Sequence, residues 1–150
     1  MVRGLSFLHG KGIIHGDLSC NNIFLDADLK ARIGNFAGSS IHGQPFLTVY
    51  ETSHSLPGDT SVSIKRDLFA LGSVLYELMT GHTPFHDQDA CEIEKLFSKG
   101  EFPSLDNVPV VGPVILQCWT GQYTAAIDVL KDIHNDGRDS LQLTGVEQSV

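Results

Sequence analysis

The sequence is short of cysteine, of basic residues and of long apolar runs, and each shortage excludes a class of protein. Its three cysteines, Cys20, Cys91 and Cys118, are scattered without CxxC spacing, so neither a disulfide framework nor a zinc site is indicated. Ten basic against eighteen acidic residues give a net charge of −8. That balance argues against nucleic acid and anionic membranes as partners. No apolar run is long enough for a signal peptide or a membrane span, which predicts a cytoplasmic protein.

The sequence does have the length and apolar content of one domain. Of its 150 residues, 41% are hydrophobic, and a chain of this size buries roughly 70% of its unfolded surface. Apolar periodicity predicts helices over 67–80, 87–99 and 113–119, and a last helix from 124 to about 136. Short strands are predicted at 13–15, 22–25 and 29–33, and a loop without regular structure at 34–62. The helix over 67–80 is apolar on nearly every side, which predicts the buried centre of the fold.

Residues 14–25 read Ile-His-Gly-Asp-Leu-Ser-Cys-Asn-Asn-Ile-Phe-Leu and place an acid and an amide on a loop between two predicted strands. Asp17 and Asn22 can face one pocket there. The carboxylate could accept a proton from a hydroxyl group while the amide oxygen binds a cation. Asp and Asn are also common turn residues, and on spacing alone the turn is the better interpretation.

The wider pattern resembles the eukaryotic protein kinases. Their catalytic loop reads His-Arg-Asp-Leu, with an Asn five positions after the Asp. Residues 33–37 stand where that family has Asp-Phe-Gly, 67–85 resemble its central helix, and 118–130 its last helices. The resemblance covers about residues 3–135 and implies the kinase C-terminal lobe. That fold is mainly α, a helical bundle with short β-strand pairs around the catalytic loop. Residues 136–150 are predicted to be a loose tail.

The resemblance implies a role for each matching residue. Asp17 falls on the position of the catalytic base, Asn22 and Asn35 on metal-ligand positions, and Phe24 on the floor of the adenine pocket. The implied cofactors are ATP and Mg²⁺.

Three further positions match structural residues of the family. His15 and Phe36 match an internal hydrophobic stack, and Asp67 opens the central helix. For His15, Phe24 and Phe36, an ordinary place in the core is an alternative interpretation.

Several matching positions carry the wrong residue for catalysis. Asn35 replaces the Mg²⁺-binding aspartate and brings no negative charge. Ser19 stands where serine/threonine kinases have a lysine, and Asn21 where tyrosine kinases have an arginine, so the acceptor preference stays open. Gly16 replaces the arginine that would pair with a phosphorylated activation loop, and Gly58 replaces the glutamate of Ala-Pro-Glu. Phosphoryl transfer depends on positioned charge, so we expect it to be lost or strongly impaired.

The sequence contains no glycine-rich loop, strand lysine or partner glutamate with which the family holds ATP. We therefore expect a truncated, pseudokinase-like domain without the N-terminal lobe, whose remaining role is protein binding through the groove beside helix 87–99. A second hypothesis is the C-terminal part of an active serine/threonine-type kinase whose N-lobe lies upstream of Met1. A third is a fragment that folds poorly. The sequence predicts no oligomeric state.

Other candidate sites are weaker. His82 and His86 are four residues apart, but Pro84 interrupts the helix that a zinc pair would need. Cys20 has no nearby cation to lower the pKa of its thiol. Tyr50, Thr48 and the serines of the loop are possible phosphorylation sites.

Overall fold

The structure is a computed structural model that describes residues 1–43, 50–58 and 61–143, with side chains described up to residue 135. It confirms the mainly helical class predicted from the sequence. The α-helices of the described residues are α1 (Val2–Gly10), α2 (Ile64–Thr80), α3 (Ala90–Ser98), α4 (Gly112–Trp119) and α5 (Ala126–Leu143). The strands are β1 (Ile13–Ile14), β2 (Ile23–Leu25), β3 (Ala31–Ile33) and β4 (Ser40–Ile41). Three single 3₁₀ turns lie at Cys20–Asn22, Phe36–Gly38 and Thr52–His54.

The strands form two separate antiparallel ribbons on either side of the loop at 15–22. β1 pairs with β4, and β2 pairs with β3 with Ile23 opposite Ile33. The Gly34 N–H continues the second ribbon by donating to the Asn22 carbonyl at 3.0 Å. The two ribbons therefore bring the loop and the segment after β3 side by side.

Helix α2 forms the centre of the fold. It begins three residues earlier than predicted, because the Ser63 side chain accepts a hydrogen bond from the Arg66 N–H and caps it. Residues 66–76 are all buried, as the apolar pattern predicts. The prediction is wrong for the last turn, where Leu78 is 59% and Met79 53% exposed.

Helix α3 is shorter than the predicted 87–99. It begins after Asp89, whose carboxylate accepts from the Glu92 N–H at 2.9 Å and so ends the preceding turn. Ile93 and Phe97 are its buried residues.

Two predictions for the irregular segments are wrong. Helix α5 continues to Leu143, so residues 136–143 are helical where a loose tail was expected; residues 144–150 lie outside the described part. The segment 34–62, expected to lack regular structure, contains β4 and two 3₁₀ turns. None of the helices in the described ranges is both long and apolar enough to cross a bilayer.

Candidate active site

The loop at 15–22 is anchored by one buried carboxylate, that of Asp67 in the first turn of α2. Asp67 is fully buried. The backbone N–H groups of His15 and Gly16 donate to it at 2.8 and 3.0 Å, and the Tyr50 hydroxyl donates at 2.7 Å. The His9 Nε2 atom, on α1, lies 2.8 Å from Oδ2. Asp67 thus fixes the loop against α1, α2 and the segment that carries Tyr50.

The His15 side chain holds the start of the loop in place through both of its ring nitrogens. Its Nε2–H donates to the Gly34 carbonyl at 3.0 Å, so the Nδ1 atom is free to accept from the Asp17 N–H at 3.3 Å. Its ring centroid lies 5.4 Å from that of Phe36. His15 is fully buried, whereas Phe36 is 48% and Phe24 53% exposed. The core interpretation therefore fits His15 and is wrong for Phe24 and Phe36.

Gly16 could not be an arginine in this conformation. Its φ is +78°, and a Cβ atom added to it would lie 2.1 Å from the Gly38 carbonyl oxygen. Real side chains cannot approach a backbone atom so closely, and a positive φ is strained for most residues. The backbone around the loop is therefore built for glycine, and the cation that the family has here cannot be restored without moving the 36–38 turn.

Asp17, Asn22 and Asn35 do come together, in a chain of hydrogen bonds. The Asn22 Nδ2 atom donates to the Asp17 backbone carbonyl at 2.7 Å and to the Asp17 Oδ2 atom at 3.0 Å. The Asn35 Nδ2 atom donates to the Asn22 Oδ1 atom at 2.9 Å. The two acceptors on Asp17 require the nitrogen of Asn22 to face them, so its oxygen must face Asn35. Only an amide nitrogen of Asn35 can satisfy that oxygen.

This arrangement does not fit Mg²⁺. The Asn22 oxygen, one implied metal ligand, accepts a hydrogen bond from the Asn35 amide, which can only donate toward it. Asn35 presents a donor where the family presents a carboxylate, and Mg²⁺ is held by carboxylate oxygens and phosphates. Asp17 supplies the one carboxylate of the trio. Burial raises the pKa of the Asp17 carboxyl above its ordinary value, although the hydrogen bond from the Asn22 amide opposes the shift.

The remaining predicted positions carry no charge. Ser19 is buried, and its hydroxyl has no hydrogen-bond partner within the described part of the chain. Gly58 is exposed, with φ +98° and open space where a side chain would be. Burial, reinforced by Glu77, raises the pKa of the Cys20 thiol to about 12, which leaves it protonated and unreactive at neutral pH.

Two of the weaker candidates can also be placed. Tyr50 is buried against Asp67, which argues against it as a phosphorylation site in the folded chain; Thr48 lies outside the described residues. The rings of His82 and His86 stack with their centroids 4.0 Å apart. In the described ranges no group of three or more His, Cys, Asp or Glu side chains could hold a metal ion.

Sequence reasoning missed His9 and Tyr50 as partners of Asp67. Both lie far from Asp67 along the chain, at separations of 58 and 17 residues, and neither belongs to a local pattern. A buried aspartate at the start of an apolar helix does signal that partners must exist, because an unpaired buried carboxylate is costly. It does not signal which residues they are.

The mainly helical fold with short strand pairs around the loop at 15–22 fits a fragment like the kinase C-terminal lobe, and a comparison with known families identifies the family. The family model "Protein kinase domain" matches residues 1–133. The chain therefore belongs to the protein kinase family.

The individual relatives that the chain is similar to are kinases by name. The chain is 27% identical to the RAF proto-oncogene serine/threonine-protein kinase of Xenopus laevis over 148 residues, which is 90% of this chain and 22% of the relative. It is 30% identical to the MAP kinase kinase kinase mkh1 of Schizosaccharomyces pombe over 145 residues, 86% of this chain and 13% of the relative. It is 35% identical to the protein kinase C delta type of Rattus norvegicus over 104 residues, 62% of this chain and 15% of the relative. The chain thus spans less than a quarter of the length of these relatives.

Proposed function

We propose that this chain is a protein kinase catalytic lobe in which phosphoryl transfer is lost or strongly impaired. One observation carries the proposal: the Asn35 amide donates to Asn22 at 2.9 Å, where the family would have a carboxylate and a metal ion. Without the metal, the charge of the transferring phosphoryl group is not neutralised. Because Ser19 is not a lysine, a second source of positive charge is also missing.

The amide explains how the loop keeps its shape without a metal. In the family a cation would hold two oxygen ligands together. In this chain a hydrogen bond from the Asn35 amide to the Asn22 oxygen joins the same two positions directly, without a cation between them. Asn35 has φ +58°, a left-handed conformation that Asn and Asp both tolerate. An aspartate could therefore replace it without backbone strain.

The test is the substitution Asn35→Asp. A carboxylate facing the Asn22 oxygen puts two acceptors together, so we expect a lower melting temperature in EDTA than for the unsubstituted chain. We expect Mn²⁺ to restore that temperature and to broaden the side-chain amide NMR signal of Asn22. The unsubstituted chain should show neither effect at the same Mn²⁺ concentration. Gln88→Glu is the matched control, because it adds the same charge at an exposed position before α3.

Two results would contradict the proposal. One is Mn²⁺ broadening of the Asn22 signal in the unsubstituted chain at the concentration that affects Asn35→Asp. The other is transfer of radioactive phosphate from ATP to a generic protein substrate that Asp17→Asn abolishes. The second result would instead support the alternative function, the C-terminal part of an active serine/threonine-type kinase.

A binding role for α3 remains a proposal of its own. Its outer surface carries a cavity of about 400 Å³ lined by Cys91, Glu94, Lys95, Ser98 and Lys99. Glu94, Lys95 and Lys99 could pair with opposite charges on a protein partner and fix its orientation. A fluorophore on the exposed Cys91 would report binding of any candidate partner, and Lys95→Glu with Lys99→Glu should weaken it.

A further inference from the structure

Arg66 is a buried, positively charged side chain that has no role in the candidate active site described above. It is the third residue of α2 and only 7% exposed. Its guanidinium group lies over the Tyr50 ring, 5.3 Å from the ring centroid, and its Nη2 atom donates to the Ser55 hydroxyl at 2.9 Å. Its Nε atom is buried and has no hydrogen-bond partner among the described residues. An unpaired donor on a buried charged group is costly, so an acceptor is missing at this point.

The position of the unpaired atom specifies the kind of acceptor. Nε–H and one Nη2–H of an arginine project from the same edge of the guanidinium plane. That edge matches the two oxygens of a carboxylate or phosphate group, which bind it through two parallel hydrogen bonds. In this structure a single hydroxyl oxygen, that of Ser55, meets one of the two donors. One of the two donors on this edge therefore has an acceptor, and the other, Nε–H, has none among the described residues.

Arg66 lines a small cavity with room for that second oxygen. The cavity has a volume of about 160 Å³, and its lining includes Thr52, Ser55 and the 56–58 turn. Water takes about 30 Å³ per molecule in the liquid, so the space suits a group of the size of a phosphate ion. Gly58 leaves the rim open, since a Cβ atom there would meet nothing within 4 Å. The positive end of the α2 dipole lies beside Arg66 and favours an anion.

We propose that this cavity binds a phosphate-class oxyanion, with one oxygen on Arg66 Nε and another on Nη2. For free phosphate, the hydroxyls of Thr52 and Ser55 would donate to the remaining oxygens; for a phosphoryl group on Ser55, the Thr52 hydroxyl would do so. Two sources supply the same chemistry: a free phosphate group, or a phosphoryl group esterified to Ser55 itself. Glu94 lines the same cavity and is exposed. Its negative charge repels a bound anion and so lowers the affinity of the cavity for phosphate.

The first experiment titrates the full chain with inorganic phosphate at constant ionic strength, with sodium chloride as the salt control. The readouts are the ¹⁵N–¹H signals of the Arg66 Nε–H group and of the Gly58 backbone amide, which lines the same cavity and is also present in Arg66→Lys. We expect a saturable shift with phosphate and none with chloride. Arg66→Lys keeps the charge but removes the two-donor edge, and should weaken phosphate binding at least about tenfold. Glu94→Gln should tighten it by about two- to fivefold, the effect of one exposed charge.

The second experiment separates the two sources. Phosphoserine introduced at position 55 during translation should shift the Arg66 signal in the same direction and abolish the response to added phosphate, because the site is already filled. A response to phosphate that does not saturate would overturn the proposal. So would equal binding in the folded Arg66→Lys variant, or unchanged phosphate binding with phosphoserine at 55. If Arg66→Lys does not melt cooperatively, the Glu94→Gln and phosphoserine results decide on their own.

Discussion

At the scale of single residues, Asn35 differs from an aspartate by one nitrogen in place of one oxygen, and this difference determines which groups its side chain can bind. Asn35 and an aspartate have the same shape and tolerate the same backbone conformation. They differ in that the amide donates to Asn22 and the carboxylate could only accept. Under the function proposed above, the loop keeps its geometry while its affinity for a cation is lost.

His54 is the residue whose ionisation should be visible in the stability of the chain. Its ring is fully buried, with Nδ1 3.0 Å from the Ser53 hydroxyl and Nε2 3.5 Å from a Glu77 carboxylate oxygen. Burial lowers its pKa from 6.5 to about 4, although Glu51 opposes the shift. Burial affects the pKa of His54 more than Glu77 does, because the Glu77 side chain is itself partly exposed and its carboxylate oxygen lies beyond hydrogen-bond distance of Nε2.

We predict that the free energy of unfolding falls as the pH is lowered from about 6.5 to about 4. The unfolded chain binds a proton on His54 in this window and the folded chain does not, so acid favours unfolding. The full effect would be about 3 kcal/mol at 1.36 kcal/mol per pKa unit. The measurement is urea unfolding as a function of pH, followed by the fluorescence of Trp119.

Two variants isolate the contribution of His54 from that of the carboxylates. His54→Gln should flatten the pH dependence between 6.5 and 4, because glutamine does not titrate. His134→Gln, at an exposed position on α5, should leave it unchanged. Identical slopes for the unsubstituted chain and His54→Gln would show that another group is responsible.

At the scale of elements, the α2–α4 contact depends on a residue with no side chain. A Cβ atom on Gly72 would lie 2.8 Å from Cys118 Cβ and 3.1 Å from Trp119 Cδ1. Next to it, the Trp119 Nε1–H donates to the Ser73 hydroxyl at 3.1 Å in the buried contact. Gly72 lets the two helices approach closely enough for this bond to form.

We predict that Gly72→Ala destabilises the chain by about 1–3 kcal/mol, the usual cost of overpacking a well-packed contact. Helix propensity alone would stabilise the chain by about 1 kcal/mol. The sign of the measured change in the free energy of unfolding therefore shows which of the two effects is larger. Gly10→Ala, in α1 with nothing within 4 Å of its Cβ position, is the matched control and should be neutral or stabilising. A higher melting temperature for Gly72→Ala would mean that α2 and α4 are less closely packed than described.

The sequence predicted the elements better than their ends. The apolar runs of α2 and α4 and the polar turns around β2 and β3 are local signals, and these elements occur close to their predicted places. The ends depend on single contacts, such as the Ser63 cap of α2 and the Asp89 cap of α3. The helical continuation of α5 past Gly137 has no local signal, since glycine there reads as a stop.

The candidate site also has a part that the sequence predicts and a part that it does not. The Asp17–Asn22 pair follows from a five-residue spacing on one loop, and the structure brings the two together. The Asn35 bond to Asn22 joins the segment after β3 to the residue before β2, and its direction depends on which atoms of each amide face each other. Spacing carries no information on that direction. The unpaired Arg66 Nε atom is likewise visible only in three dimensions.

At the scale of the whole molecule, Asp67 links parts of the chain that are remote in sequence. Through one carboxylate, α1, the catalytic loop and the Tyr50 segment are all held to the first turn of α2. These bonds lie where the dielectric constant is low, so each lost acceptor leaves a buried donor unpaired. Loss of Asp67 should therefore affect the cooperativity of folding and not only the local geometry.

We predict that Asp67→Asn lowers the free energy of unfolding by about 3–5 kcal/mol, as expected when one partner of a buried charged network is removed. The amide keeps one acceptor oxygen and turns the other into a donor that faces N–H groups. Tyr50→Phe removes a single bond of the network, that to Asp67 Oδ1, and should cost about 1 kcal/mol. Urea unfolding followed by Trp119, the single tryptophan, measures both. If Asp67→Asn costs no more than Tyr50→Phe, the hydrogen bonds from the loop backbone do not hold the molecule together, and the loop is anchored by the His15 ring and its contacts instead.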